Sequence, residues 1–456
     1  MGATETLARE IVATADGSPP SEVVEVAREV ILDGCANFLA GSREPLSEPT
    51  VDYVRELGGP EQATVAGHGF RTHPVHAAYA NGVFCHAMDF ELMWYPPTHP
   101  TSTTLPALLA LAEQRGSCGE DVISALATAF EVQGRLRLAI DEAGVEVRES
   151  LHPPGQVGAF GAAAGCAVLL ELDVDRTRTA LGIAGSRVSG LMANTGTMTK
   201  STHCGNAARL GLESALLAER GFTASGDVLE ATHGYNDTLF QGRLDLSRVT
   251  DDFGDPYRMV DPGLTFKKYP SQYPTHWSID AALELRRRHG IDPDQIKAVE
   301  VEVGADNEAA DRTRPETGLD GKFSVPYTVA VALLDGTVNI DTFRDERRFA
   351  PDVERMLERV TVEKNPEVDA MDFARAWSRV TVETENGEEF SARVDRPPGI
   401  WDNPVPWEVY LEKFHHCAGR VLRKGDADEL AGLVEEFETL EDVRALTALL
   451  GEPTAI

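Results

Sequence analysis

The sequence predicts an α + α/β protein: a large all-helical domain formed by residues 1–260 and 397–456, with a smaller α/β domain inserted at 261–396. Three observations predict it. Apolar residues recur at helical spacing through the first half of the chain. After Asp251 the composition changes, and short runs of alternating apolar and polar residues appear. Beyond the proline-rich Arg396-Pro397-Pro398-Gly399 the helical pattern returns, which suggests that the chain rejoins its first domain.

Taken in order, a helix is expected from Val23 to Leu39, after the breaker cluster Ser18-Pro19-Pro20. Further helices are expected over Thr104–Glu113 and Asp121–Leu138. Val157–Leu172 and Ala180–Met192 are rich in Ala and Gly and hydrophobic on nearly every side, so they read as close-packed core helices. Ala207–Ala218 completes the set, with Gly221 as its terminating glycine. In the second domain a helix over Thr275–Arg288 precedes IKAVEVEVG, where Val299, Val301 and Val303 alternate with Glu300 and Glu302 as in a half-buried strand. Ser324–Leu334 reads as a helix with Pro326 in its first turn. ERVTVEK is another strand. Asn386-Gly387, between two alternating runs, marks a hairpin. His415–Leu422 and Glu429–Leu450 read as the closing helices. An inserted domain of this kind predicts a substrate site between the two domains.

Composition narrows the function. Forty-two basic against seventy-four acidic residues give a net charge of -32, which repels nucleic acid and anionic membranes, so neither is an expected partner. Only eight residues are lysine. Such a surface suits a salt-rich cytoplasm, where counterions screen self-repulsion, and equally an ordinary acidic enzyme. Six scattered cysteines without CxxC spacing read as buried free thiols, giving neither a disulfide framework nor a structural zinc. The N-terminus lacks the basic and apolar regions of a signal peptide, and no uninterrupted apolar run has membrane-spanning length, so a cytoplasmic protein is expected. Thr6 after Met1-Gly2 superficially permits myristoylation, which reads as chance in so acidic a chain.

Three segments concentrate chemistry. In HAMDFELMWYPPTHPTSTTLP, residues 86–106, His86, Asp89, Glu91 and His99 precede an apolar helix, and the prolines stiffen the loop. His99 then sits at a helix N-terminus, where free amides can meet a carboxylate. The plain structural reading is that Asp89 or Ser102 caps or tethers the loop. In GTMTKSTHCGNAA, residues 196–208, the rare Lys200 can neutralise a carboxylate or an enolate-like charge, with His203 and Asn206 nearby; the alternative is a surface lysine. In FKKYPSQYPTHW, residues 266–277, Lys267 and Lys268 form a candidate anion clamp, and sequence alone does not choose between them. His152 in LHPPGQVG is a further acid or hydrogen-bond donor, or a packing histidine. His68, His73 and His76 lack ligand spacing, and His415-His416 reads as helix surface or packing. Nucleophile-elbow, phosphate-loop and dinucleotide patterns are missing. These residues describe an enzyme that handles a small polycarboxylate with His and Lys.

At the same segments the chain resembles the MmgE/PrpD family. The resemblance rests on NGVFCHAMDFELMWYPPTHPTSTTLPALLALAE, LHPPGQVGAFGAAAG, ALGIAGSRVSGLMANTGTMTKSTHCGNAARLGLESALLAERGF, FKKYPSQYPTHWSIDAALELR and VPYTVAVALLDG, which cover most of the chain in order. It implies a helical domain with an inserted α/β lid, a homodimer, and no metal or organic cofactor. It further implies that Asp89 and His99 are active-site positions, that His152 is the histidine of the second motif, and that Lys200 is the lysine of the TK motif. Lys267 matches the first lysine of the KxYP motif, which makes Lys268 the lesser candidate. The compact WYPPTHP segment is similar to the decarboxylase-like and epimerase-like branches. Met93 and Gln272 stand where the animal decarboxylase pattern has Thr and His, so substrate contacts differ there. With His203 and Lys268, they complete the candidate substrate-binding set. The implied activity is a lyase, decarboxylase or dehydratase, acting on a small di- or tricarboxylate such as cis-aconitate. The alternatives are an epimerase of a dicarboxylate such as iminodisuccinate and a non-catalytic polycarboxylate-binding protein.

Overall fold

The computed structural model describes residues 1–144, 150–370, 372–373 and 375–451. Residues 452–456, at the end of the segment expected to return to the helical domain, lie outside the described residues. The chain divides into two compact units. The first comprises Met1–Ala87, Glu91–Thr265 and Val405–Ile456, and the second Met88–Phe90 and Phe266–Pro404.

The first unit is helical. Its helices include α1 (Ala3–Ala13), α2 (Ser21–Gly41), α3 (Ser47–Leu57), α4 (Pro74–His86), α5 (Pro100–Arg115), α6 (Gly119–Ala143), α7 (Pro153–Leu169), α8 (Val174–Gly185) and α9 (Thr199–Glu219). A two-stranded hairpin, β1 (Ala63–Val65) with β2 (Phe70–Thr72), precedes α4. Helix α7 is buried continuously from Pro154 to Val168 and packs on α5, α6 and α9. Its Ala- and Gly-rich surface makes this possible: a Cβ on Gly158 would come within 2.6 Å of the Thr103 side chain. Helices α4 and α9 meet where a Cβ on Gly82 would lie 2.8 Å from the Gly205 Cα. His86 lies one helical turn beyond Gly82, and Ser201 one turn before Gly205, so the crossing brings the end of α4 to the start of α9.

Several helix boundaries differ from expectation. The helix expected over Ala180–Met192 ends at Gly185, and Leu191 is 58% exposed instead of in the core. Tertiary pairing takes the backbone away from the helix there. The Gly190 carbonyl accepts from His152 N at 2.8 Å, and Ser189 N donates to Gly155 O at 3.2 Å. Helix α7 begins at Pro153 and stops at Leu169, short of Leu172. The helix expected over His415–Leu422 instead spans Trp407–Ala418. The span Glu429–Leu450 is broken into Lys424–Glu435, a 3-10 turn at Phe437–Thr439, and Arg444–Gly451. Gly119 N donates to Leu440 O and Val443 N to Ser117 O across that break, so a neighbouring turn takes the polar groups a continuous helix would use. No helix among the described residues is long and apolar enough to cross a membrane.

The second unit is built on a four-stranded mixed sheet of order β4-β3-β5-β6, with β3 (Ile296–Gly304), β4 (Val360–Asn365), β5 (Ser378–Thr384) and β6 (Glu389–Val394). β3 pairs parallel to β4 and antiparallel to β5; β5 and β6 form the antiparallel hairpin around Asn386-Gly387. Val299, Val301 and Val303 point into the core with Val380 and Val382, as their alternation requires. Helices α10 (His276–His289) and α11 (Val325–Asp335) cover that face. Ser324 caps α11 by accepting from Tyr327 N, and Pro326 lies in its first turn.

Candidate active site

In the first unit, two His-Pro steps place the candidate histidines. His99 is the N-cap of α5 and His152 the N-cap of α7; each is followed by a proline, which has no N–H to lose in the first turn. Neither ring caps its helix. His73, before Pro74 of α4, makes the contrast, because its Nδ1 accepts from Val75 N. The His99 and His152 rings turn instead into a cluster with His86 and His203. Ring centroids are 4.6 Å apart for His86 and His99, 5.4 Å for His86 and His152, and 5.4 Å for His152 and His203.

Lys200 reaches the cluster from the first turn of α9, its Nζ 2.9 Å from His86 Nε2. The other nitrogen of that ring, Nδ1, is 2.6 Å from Glu91 Oε1, and His99 Nδ1 contacts the same oxygen at 3.3 Å. An ammonium can only donate, so His86 accepts at Nε2 and carries its proton at Nδ1, from which it donates to Glu91. Electrostatics keep this ring neutral. Burial, and then the Lys200 ammonium, depress His86 to about 4 despite the pull of Glu91. Burial followed by Lys200 and the other imidazoles pushes His152 well down, and burial followed by Lys200 also lowers the half-buried His203. Burial works to raise Glu91, but the imidazoles aimed at it prevail and hold its carboxyl well below the usual carboxylate range. His152 and His203 face each other with their Nδ1 atoms 3.4 Å apart.

The cluster can stabilise a carboxylate at Lys200 and move a proton through imidazole. His86 with Glu91 and His99, or with His152 and Cys204, also offers three ligand atoms within 4.8 Å of one another. A divalent ion at His86 would have to replace the proton shared with Glu91 at Nδ1 or displace the Lys200 ammonium from Nε2.

In the second unit, Lys267 is 1% exposed, donates to the Asp89 carbonyl at 2.7 Å and pairs with its carboxylate. Asp89 has a left-handed backbone (φ 52), and the adjoining Met88 carbonyl accepts from the buried Lys322 at 2.9 Å. His276, packed against Tyr269 and Tyr273, is held well below its usual value by burial and then by Lys267. The His276 Nε2 and Tyr273 hydroxyl are buried and without hydrogen-bond partners among the described residues. Lys268 is in an exposed pair with Asp280, 2.8 Å away. Gln272 is half-buried and donates through its backbone N to Lys322 O at 2.9 Å. Met93, in the first unit, is buried and its backbone pairs with Thr265.

The structure thus brings His99, His152, Lys200 and His203 together in one unit, and Asp89 with Lys267 in the other. The sequence reading left His86, Glu91, His276 and Lys322 out of its candidate set. His86 and Glu91 lie inside its first motif, and the scarcity of lysine was the available signal for Lys322. The separate histidines have local roles: His68 Nε2 lies 2.8 Å from Ser47 Oγ, and His76 Nδ1 lies 3.0 Å from Gly58 O.

Comparison with known proteins bears on the whole chain. A mouse (Mus musculus) cis-aconitate decarboxylase is 30% identical over 444 residues, covering 95% of this chain and 90% of the relative. A cis-aconitate decarboxylase of Aspergillus terreus is 31% identical over 463 residues, covering 95% and 93%. A 2-methylcitrate dehydratase of Salmonella typhimurium is 26% identical over 371 residues, covering 74% of each chain. Residues 5–246 match the MmgE/PrpD N-terminal domain and residues 269–439 the MmgE/PrpD C-terminal domain, so the chain belongs to the MmgE/PrpD family.

Proposed function

We propose that this protein is a lyase that decarboxylates a small unsaturated tricarboxylate, with cis-aconitate as the first candidate. The observation that carries the reading is the buried contact of Lys200 with His86 inside a cluster of four histidines. Similarity to decarboxylases along nearly their whole length favours loss of CO2 over loss of water, since the dehydratase similarity is weaker and shorter. Lys200 holds a substrate carboxylate and offsets the charge that develops as the C–C bond to the departing carboxyl breaks. The bonding pair passes into the allylic system of the substrate, one end of which takes a proton from His99; CO2 leaves, and solvent returns a proton to the imidazole. His152 is positioned beside this transfer as a second hydrogen-bonding group. Lys267 and Asp89 enter the reading through the resemblance of their motifs.

Incubation with cis-aconitate, methylcitrate or iminodisuccinate in D2O, followed by NMR and chiral chromatography, tests the reading. Decarboxylation of cis-aconitate with one solvent deuterium incorporated at a carbon of the product's allylic unit is expected. Replacing His99 with Ala is expected to lower kcat by about 10²–10⁴-fold while substrate still binds. Stereochemical inversion without CO2 release would make the protein an epimerase, water loss alone a dehydratase, and binding without turnover a binding protein. Full turnover by His99→Ala would remove His99 from the mechanism.

A further inference from the structure

We infer that Glu91 is a positioning residue that sets the tautomer of His86, the imidazole held between it and Lys200 and packed against His99. The inference rests on the lyase reading for its kinetic consequence and on geometry alone for the tautomer. Glu91 is 0% exposed, and its Oε1 meets Nδ1 of both rings, at 2.6 Å for His86 and 3.3 Å for His99. An ionised carboxylate only accepts, so His86, at hydrogen-bond distance, must present an N–H at Nδ1 to use that contact. For His86 the other nitrogen faces Lys200 and must accept, so both neighbours of this ring demand the same tautomer. One carboxylate and one lysine thereby fix this imidazole, whose ring centroid lies 4.6 Å from that of His99.

The backbone beside Glu91 is pinned as well. Leu92 N donates to Asp33 Oδ2 at 2.9 Å, and Asp33 Oδ1 is 2.6 Å from Lys413 Nζ of the C-terminal helix Trp407–Ala418. Asp33 and Lys413 are themselves buried. Held in this way, the carboxylate cannot follow a ring that rotates. A buried carboxylate set against an imidazole fixes which ring nitrogen carries the proton.

Glu91→Gln keeps the shape and an acceptor oxygen but removes the charge. With cis-aconitate, kcat is expected to fall about 10–100-fold while KM stays within about threefold, as for other groups that orient a functional histidine. A variant with wild-type kcat would overturn the inference. A second measurement does not depend on turnover or on Glu91→Gln. Nitrogen-15 NMR of wild-type protein at pH 7, with the His86 signal assigned by its loss in His86→Asn, should show a neutral ring protonated at Nδ1. A proton at Nε2 overturns the inference whatever the enzyme's reaction proves to be, and the Nδ1 tautomer in a protein that releases no CO2 would disprove only the lyase reading.

Discussion

Four of the eight lysines, Lys200, Lys267, Lys322 and Lys413, are buried, and each meets a specific acceptor: an imidazole, a carboxylate with a carbonyl, two carbonyls, and a carboxylate. A chain so poor in lysine spends half of them where desolvation opposes the charge. Rarity was therefore a usable sign of Lys200 and Lys267, and it applied equally to Lys322 and Lys413. His86 and Glu91 were harder to select, because only the fold shows that one ring is held between Glu91 and Lys200. Their arrangement has a consequence for stability. His86 is depressed to about 4 in the fold and titrates near 6.5 when unfolded, so below that value the unfolded chain binds more protons. The stability this difference supplies is complete above pH 6.5 and is lost as pH falls toward 4, amounting to about 3 kcal/mol by the shift alone. Glu29, which burial raises to about 7, acts in the opposite sense, so the comparison is between variants. Chemical denaturation of wild type and His86→Asn at pH 7 and pH 4.5 should show a smaller acid loss in the variant; equal losses would refute this account.

At the scale of elements, the crossing of α4 and α9 does most to assemble the cluster. A Cβ on Gly82 would lie 2.8 Å from the Gly205 Cα and 3.1 Å from the Ser102 carbonyl, with no flexible side chain to yield. Gly82→Ala must therefore push the helices apart and carry His86 away from Lys200. A loss of about 1–3 kcal/mol is expected from the overpacking, with a disproportionate fall in kcat. Gly432→Ala is the control, since its added Cβ meets nothing within 4 Å inside the helix Lys424–Glu435; it should leave kcat unchanged and stabilise by up to about 1 kcal/mol. Wild-type turnover in Gly82→Ala would show that the crossing is not what joins His86 to Lys200. Local pattern predicted the cores of these helices better than their ends. The breaks after Gly185 and Glu435 occur where backbone groups elsewhere in the fold take the hydrogen bonds, which no periodicity in the segment itself reveals.

Over the whole molecule, a net charge of -32 means that folding works against self-repulsion. Raising salt from 0.1 M to 1 M shortens the screening length from about 10 Å to about 3 Å, so the thermal midpoint should rise across that range. A constant or falling midpoint, followed by scanning calorimetry, would mean that screening of surface pairs such as Arg347 with Asp335 and Asp352 outweighs relief of the repulsion. The sequence by itself determined the helical character of the first unit, the strand Ile296–Gly304, the hairpin at Asn386-Gly387 and the family, because periodicity, turn chemistry and motif order are written locally. It also named the segments that carry His99, His152 and Lys200. Only the tertiary structure decided that Lys200 meets His86, that Glu91 meets both His86 and His99, and that Lys267 is neutralised by Asp89 while Lys268 pairs with Asp280 at the surface. Those pairings join residues up to 178 positions apart, and which partners meet is set by how helices cross and where burial excludes water.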